Sequence, residues 1–137
     1  MKRTEPWTQD EVVSRLREAG ETVRRLPKPR GPAGYGSGWP DVVRDCREAY
    51  GYTEGKLKPP PPTPRAIDRT DEVFTWFRFL EDQRDEMRAL WIAAGCGVSF
   101  AQTARILGVN RKTVGVWVWA AAQRIAVGLN KSQIIQH

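Results

Sequence analysis

Ser99-Phe-Ala-Gln-Thr-Ala-Arg-Ile-Leu-Gly-Val-Asn-Arg-Lys-Thr-Val114 is the stretch on which the reading of this chain turns. Ser99, with Gln102 three residues on, forms a capping box: the hydroxyl accepts from the Gln102 amide, a donor that the first helical turn leaves free. Gly108 falls where a helix end favours a left-handed residue, and Asn110 is placed to cap a second helix opening Arg-Lys-Thr-Val. The pattern predicts a helix of about two turns, a three-residue turn and a longer helix. Ala104 sits where the two helices approach most closely and only a small side chain fits. Val114 and Trp117 are the positions at which the second helix buries apolar groups against the first, and Ile106, Leu107 and Val109 complete this small core. Upstream, Gly95-Cys-Gly97 breaks the preceding helix.

Charge is distributed around this stretch in a telling way. Residues 87–137 contain no aspartate or glutamate but carry Arg88, Arg105, Arg111, Lys112, Arg124 and Lys131. The chain has 22 basic and 16 acidic residues, and residues 1–86 hold 16 of each, so the net charge of +6 belongs to the last 51 positions. A basic field centred on two capped helices is an electrostatic footprint for a polyanion, of which double-stranded DNA is the first to consider.

The motif resembles the helix-turn-helix superfamily, especially the version found in region 4 of sigma factors, over about residues 83–129. The resemblance implies that the helix starting near Arg111 enters the major groove with its first turn facing the bases. Asn110, Arg111, Lys112 and Thr113 are the polar groups presented there. Arg111 or Lys112 could read guanine O6 and N7, and Asn110 could meet adenine or a phosphate. Gly115 leaves room for close approach, and Val116 is placed to touch a thymine methyl. Gln102 and Arg105, on the outward side of the first helix, are expected on phosphates, as are Arg124 and Lys131. A plain helical hairpin would use Ala104 and Gly108 for packing alone. Two successive caps, the short first helix and the acid-free field weigh against it. Trp119 falls outside the inward series Val114, Trp117, Ala121 and Ile125. Three roles stay open for it: packing on the N-terminal helices, a helix-to-helix dimer contact, or stacking on DNA.

The rest of the chain reads as helix separated by proline and glycine, so the fold class is all-α. Thr8-Gln-Asp-Glu11 is a second capping box, with Trp7 and Val12 as a hydrophobic staple. Val12, Leu16, Ala19, Val23 and Leu26 follow at helical spacing until Pro27. Residues 28–38 are a glycine-rich loop without a preceding strand or any phosphate-binding signature. A further helix is expected over residues 40–50, opened by Pro40. Residues 56–64, Lys-Leu-Lys-Pro-Pro-Pro-Pro-Thr-Pro, are extended polyproline-like chain, better read as a stiff spacer or strap than as an SH3-type ligand. Thr63 caps a helix with Pro64 in its first turn. Ile67, Val73, Phe74, Phe77, Leu80, Met87, Leu90, Trp91 and Ala94 then keep helical spacing, as one long helix or as two with a break near residues 81–84. The charges at residues 81–88 read as a solvated face. The expected organisation is an N-terminal helical region (1–55), a Pro-rich strap (56–64), a connecting helix (65–82), the helix-turn-helix (83–130) and a tail (131–137).

Several function classes recede. The one histidine is His137, which leaves no histidine-based catalysis. Asp68, Asp71, Glu72, Asp82, Asp85 and Glu86 alternate with arginines in a way that favours surface ion pairs over a metal site. No enzyme activity, cofactor or metal is therefore expected. No apolar run is long enough to span a bilayer, and the start lacks an export signal. Cys46 and Cys96 form no Cys-x-x-Cys pair, which points to reduced thiols in a cytoplasm.

Over nearly the full length, Trp7, Val13-Ser-Arg-Leu16, Thr22-Val-Arg-Arg-Leu-Pro27, Tyr35-Gly-Ser-Gly-Trp-Pro40 and Pro61-Pro-Thr-Pro-Arg-Ala-Ile-Asp-Arg69 resemble a domain family of unknown function from alphaproteobacterial phages and prophages. The resemblance implies a phage or prophage origin with a C-terminal helix-turn-helix, and supplies no catalytic residues. The expected function is sequence-specific DNA binding by a phage-encoded regulator, as a homodimer or a higher homo-oligomer. The alternatives are a small-terminase-like packaging component and a sigma-region-4-like antiterminator acting on RNA polymerase.

Overall fold

The computed structural model describes residues 5–26 and 60–135, and these residues contain helices and no strand. The all-α expectation holds. The glycine-rich loop at 28–38, the helix expected at 40–50, Cys46 and residues 56–59 of the Pro-rich strap lie outside the described residues.

Helix α1 runs Gln9–Arg25 and begins as its sequence requires: the Thr8 hydroxyl accepts from the Glu11 amide at 3.2 Å. Its inward face, Val12, Leu16, Ala19, Val23 and then Leu26, is the expected one, and all five are buried. A helix of this length is marginal alone in water. Burial of side chains such as Val12 and Leu16, at about 1.5–3 kcal/mol each, holds it in place.

Helix α2, Pro64–Thr75, is capped by the Thr63 hydroxyl, which accepts from the Ala66 amide at 3.1 Å. It tightens into a 3-10 helix, Trp76–Leu80, before the chain turns at residues 81–83. Helix α3, Arg84–Leu90, widens into a π-helix, Trp91–Gly95, with the Cys96 amide donating to the Trp91 carbonyl at 2.8 Å. The single helical series read across residues 64–94 is thus four segments, with the turn falling at the expected break.

Helix α4 is Phe100–Leu107 and α5 is Arg111–Ile135. The latter is about 37 Å long and forms the spine. Small residues on its inner side, Ala121, Ala122 and Ala126, interleave with Val114, Val118 and Ile125, all buried. This lets α1, α3 and α4 all pack on it.

One apolar cluster joins every helix, and its aromatic centre is dense. Trp7 meets Trp76 edge-on at 5.1 Å, and Phe74 and Phe77 both pack edge-on against Trp91, at 5.7 and 6.1 Å. The Arg15 guanidinium lies over Trp7 and Trp76, 5.7 and 5.3 Å from their centroids, and bonds Glu72 at 3.1 Å. The Asn130 side chain accepts from the Trp7 amide at 2.7 Å and donates to the Trp7 carbonyl at 3.2 Å, which ties the start of α1 to the far end of α5.

Candidate nucleic-acid interface

The α4–α5 corner is built by local signals that satisfy one another. The Ser99 hydroxyl accepts from the Gln102 amide at 3.2 Å and starts α4. Gly108 ends it at φ +69°, a left-handed conformation that costs glycine nothing. The Val109 amide donates to the Ala104 carbonyl at 3.0 Å and the Gly108 amide to the Arg105 carbonyl at 3.4 Å, the paired bonds of a Schellman turn. Asn110 then caps α5, its Oδ1 accepting from the Lys112 amide at 2.7 Å. Ala104 and Val114 are buried at the meeting of the two helices. Trp117 is only half-buried, and Val118, one residue on, takes the fully buried place beside it.

The outward side of this corner carries Gln102 and Arg105 on α4, and Asn110, Arg111 and Lys112 on the turn and first turn of α5, all exposed. No carboxylate among the described residues pairs with Arg105, Arg111 or Lys112. Thr113 differs from its neighbours in being half-buried. Asn110 is partly committed: with Oδ1 holding the Lys112 amide, its free donors favour a phosphate or a single base contact over a two-bond reading of adenine.

Past the first turn the exposed face becomes apolar. Val116 is 66% exposed and Trp119 41%. At about 100° per residue, Lys112, Val116 and Trp119 share an arc of about 60° on α5. The α1 helix crosses just beyond, where the Gln9 side-chain amide donates to the Trp119 carbonyl at 3.0 Å. The Trp119 backbone therefore abuts α1, while its ring remains partly in solvent.

Gly115, between Lys112 and Val116 in sequence, falls about 40° outside this arc on the flank of Trp119. A methyl group there would meet the Phe100 ring at 3.7 Å, ordinary contact, so packing does not require glycine.

Arg124 and Lys131 are placed elsewhere. They stand about 20 and 30 Å along the helix from Arg111, and Arg124 lies about 140° around the axis. The Nε of Arg124 donates to Glu86 at 2.9 Å, with the Glu86 side chain 12% exposed and the Arg124 side chain 49%. Two expectations change here. Glu86 leaves the solvated face of residues 81–88 because α5 covers it. Arg124 faces α3 because that carboxylate, 38 residues away in sequence, sits across the helix pair. Lys131 borders a shallow cleft with Phe79, Val127 and Arg124. Neither position was legible from local spacing, since both depend on which faces of α3 and α5 meet.

Elsewhere three glutamates serve ion pairs: Glu18 with Arg69 at 2.7 Å, Glu72 with Arg15 at 3.1 Å, and Glu21 with Arg24 at 2.9 Å, while no such pair is formed by Asp68, Asp71, Asp82 or Asp85 among the described residues. Cys96 is half-buried. No helix among the described residues is long and apolar enough to cross a membrane. In comparisons with known proteins, a family described as a domain of unknown function (DUF6362) matches residues 24–126, which is most of the chain. No curated protein and no solved structure matches.

Proposed function

The chain belongs to the DUF6362 family, and we propose that it is a sequence-specific double-stranded-DNA-binding protein, a transcriptional regulator of phage or prophage origin. The observation that carries this reading is the exposed, carboxylate-free set Arg105, Arg111 and Lys112 around the start of α5. Cations held without internal partners on a rigid, doubly capped corner form a site for phosphates, and the α5 amino terminus adds the positive end of its dipole. The short helix, tight turn and long helix match the frame in which the second helix lies in a major groove. In that pose Arg111 and Lys112 meet base edges, while Gln102, Arg105 and the Asn110 side chain meet the backbone.

A titration of random duplex DNA at several salt concentrations tests the proposal. On random duplex, where no base is read and Arg105, Arg111 and Lys112 each lie against a phosphate, log affinity falls against log salt with a slope of about −3. Absence of binding at low salt, or binding indifferent to salt, overturns it. Selection of duplexes from a random library then gives the cognate site. A promoter-proximal or operator-like target in the encoding genome fits a regulator, and a packaging-initiation target fits a terminase-like component.

A further inference from the structure

The apolar patch that follows the cations on α5 is at odds with a purely electrostatic role. Val116 and Trp119 are two of the three large hydrophobic residues exposed among the described positions. The third, Val127, lies about 16 Å further along the helix, beside Phe79 in the cleft bordered by Lys131. Val116 and Trp119 are thus a separate pair, set on the same arc as Lys112 and bounded behind by the α1 crossing at Gln9.

We infer that Val116 and Trp119 form an apolar reading edge that selects thymine through its 5-methyl group in the major groove. The inference rests on the proposed DNA binding and names what this site prefers. Thymine is the base that presents a methyl group in that groove, and aliphatic and aromatic side chains are its matching contacts. Gly115 adds a second observation. It places a helix-weakening residue one position before Val116, at a site where alanine would fit against Phe100. The missing methyl leaves the helix surface low on the Trp119 flank of the patch, beside the Phe100 ring.

Charge complementarity sets the occupant. Lys112 shares the arc of the patch and Arg111 lies one residue before it, and neither has a carboxylate partner among the described residues. A second copy meeting the patch through a two-fold axis would bring the same unpaired cations to the same contact, whereas a duplex brings phosphates to the rim and methyl groups to the centre. The polar readers are few, and Asn110 is half committed to its cap. Discrimination past the first turn of α5 therefore falls to shape and methyl contacts.

The test uses the full chain and the duplex recovered by selection, remade with deoxyuridine in place of each thymine in turn, which deletes only the methyl. Wild-type protein should lose about fourfold in affinity at one or two positions, the worth of one buried methyl. The Val116→Ala variant should no longer distinguish thymine from uracil at one of them, while keeping the salt dependence of wild type. A wild-type protein that binds uracil and thymine duplexes alike, with salt-dependent binding intact, overturns the inference and leaves the DNA reading standing. A uracil penalty that persists unchanged in both Val116→Ala and Trp119→Ala overturns it as well, because the methyl is then read elsewhere. So does a Val116→Ala variant that changes sedimentation mass without changing the thymine-to-uracil ratio, since the patch is then a protein interface. Loss of all salt-dependent binding by wild type removes the underlying proposal itself.

Discussion

Two helix junctions in this molecule use the same materials to different ends. Where α1 crosses the π-helix, two glycines, a cation and a tryptophan all make contacts within the chain. A Cβ on Gly20 would lie 1.6 Å from the Gly95 carbonyl oxygen, Arg24 donates to the Cys96 carbonyl at 3.1 Å, and Trp91 is buried. Where α4 meets α5, a glycine, cations and a tryptophan again lie within a few residues. Here Gly115 has room for a methyl, Arg111 and Lys112 have no carboxylate among the described residues, and Trp119 reaches solvent. The first junction is closed within the chain, with the buried indole N–H of Trp91 as its one unpartnered polar group among the described residues of the crossing. The second is complete as a fold and incomplete as a surface, which makes it the place to look for a ligand.

The comparison is strained hardest at Gly20. Gly20→Ala drives a methyl group into backbone that has no rotamer to yield, so a loss of about 3 kcal/mol or more is expected, at the upper end of overpacking costs. Urea denaturation with a reduced midpoint and an unchanged slope would register it. A stability within 0.5 kcal/mol of wild type would mean that the α1 crossing is looser than described.

A smaller effect separates the two arginines that the sequence places together as DNA contacts. Arg111→Ala should leave stability within about 0.5 kcal/mol of wild type and cost roughly 1–3 kcal/mol of binding at one base position. Arg124→Ala should behave in the opposite sense, because it strands the mostly buried Glu86 carboxylate. About 1–2 kcal/mol of stability should go, with DNA affinity unchanged. Thermal unfolding and duplex binding measured on both variants decide the matter. Equal binding losses from the two would return Arg124 to the interface.

How far the sequence carried the reading follows from the range of the signals. Thr8, Ser99, Gly108 and Asn110 act over two to five residues, through hydrogen bonds between a side chain or glycine turn and the adjacent backbone, so the ends of α1, α4 and α5 were legible without tertiary knowledge. The periodicity of Val12, Leu16, Ala19 and Val23 likewise gave the buried face of α1. What escaped was set by partners distant in the chain. The π-helix at residues 91–95 accompanies a glycine-on-glycine contact with α1, and the same apolar series fits an uninterrupted helix just as well. Trp7 is clasped by Asn130, 123 residues away, and Glu86 is covered by an arginine 38 residues on. At the candidate site, the outward positions of Gln102, Arg105, Arg111, Lys112, Val116 and Trp119 agree with helical spacing. The distance of Arg124 and Lys131 from them follows from α5 being one long helix, whereas the pairing of Arg124 with Glu86 required the packing of α3 on α5.

The smallest predicted effect is also the most discriminating, because it moves stability and binding in opposite directions. Glycine inside a helix costs roughly 0.5–1 kcal/mol relative to alanine, through backbone freedom lost on folding. At Gly20 the contact with Gly95 demands that cost. At Gly115 the nearest atoms to an added methyl are those of the Phe100 ring, 3.7 and 3.9 Å away, so nothing among the described residues demands it. Gly115→Ala should therefore raise stability by up to about 1 kcal/mol, read as a higher unfolding midpoint. If the low surface beside Val116 exists for a groove edge to approach, the same variant should bind cognate duplex more weakly than wild type while retaining its salt slope. A variant that is more stable and binds equally well would show that the gap at Gly115 serves no ligand, and the contrast between the two junctions would then rest on the unpaired cations alone.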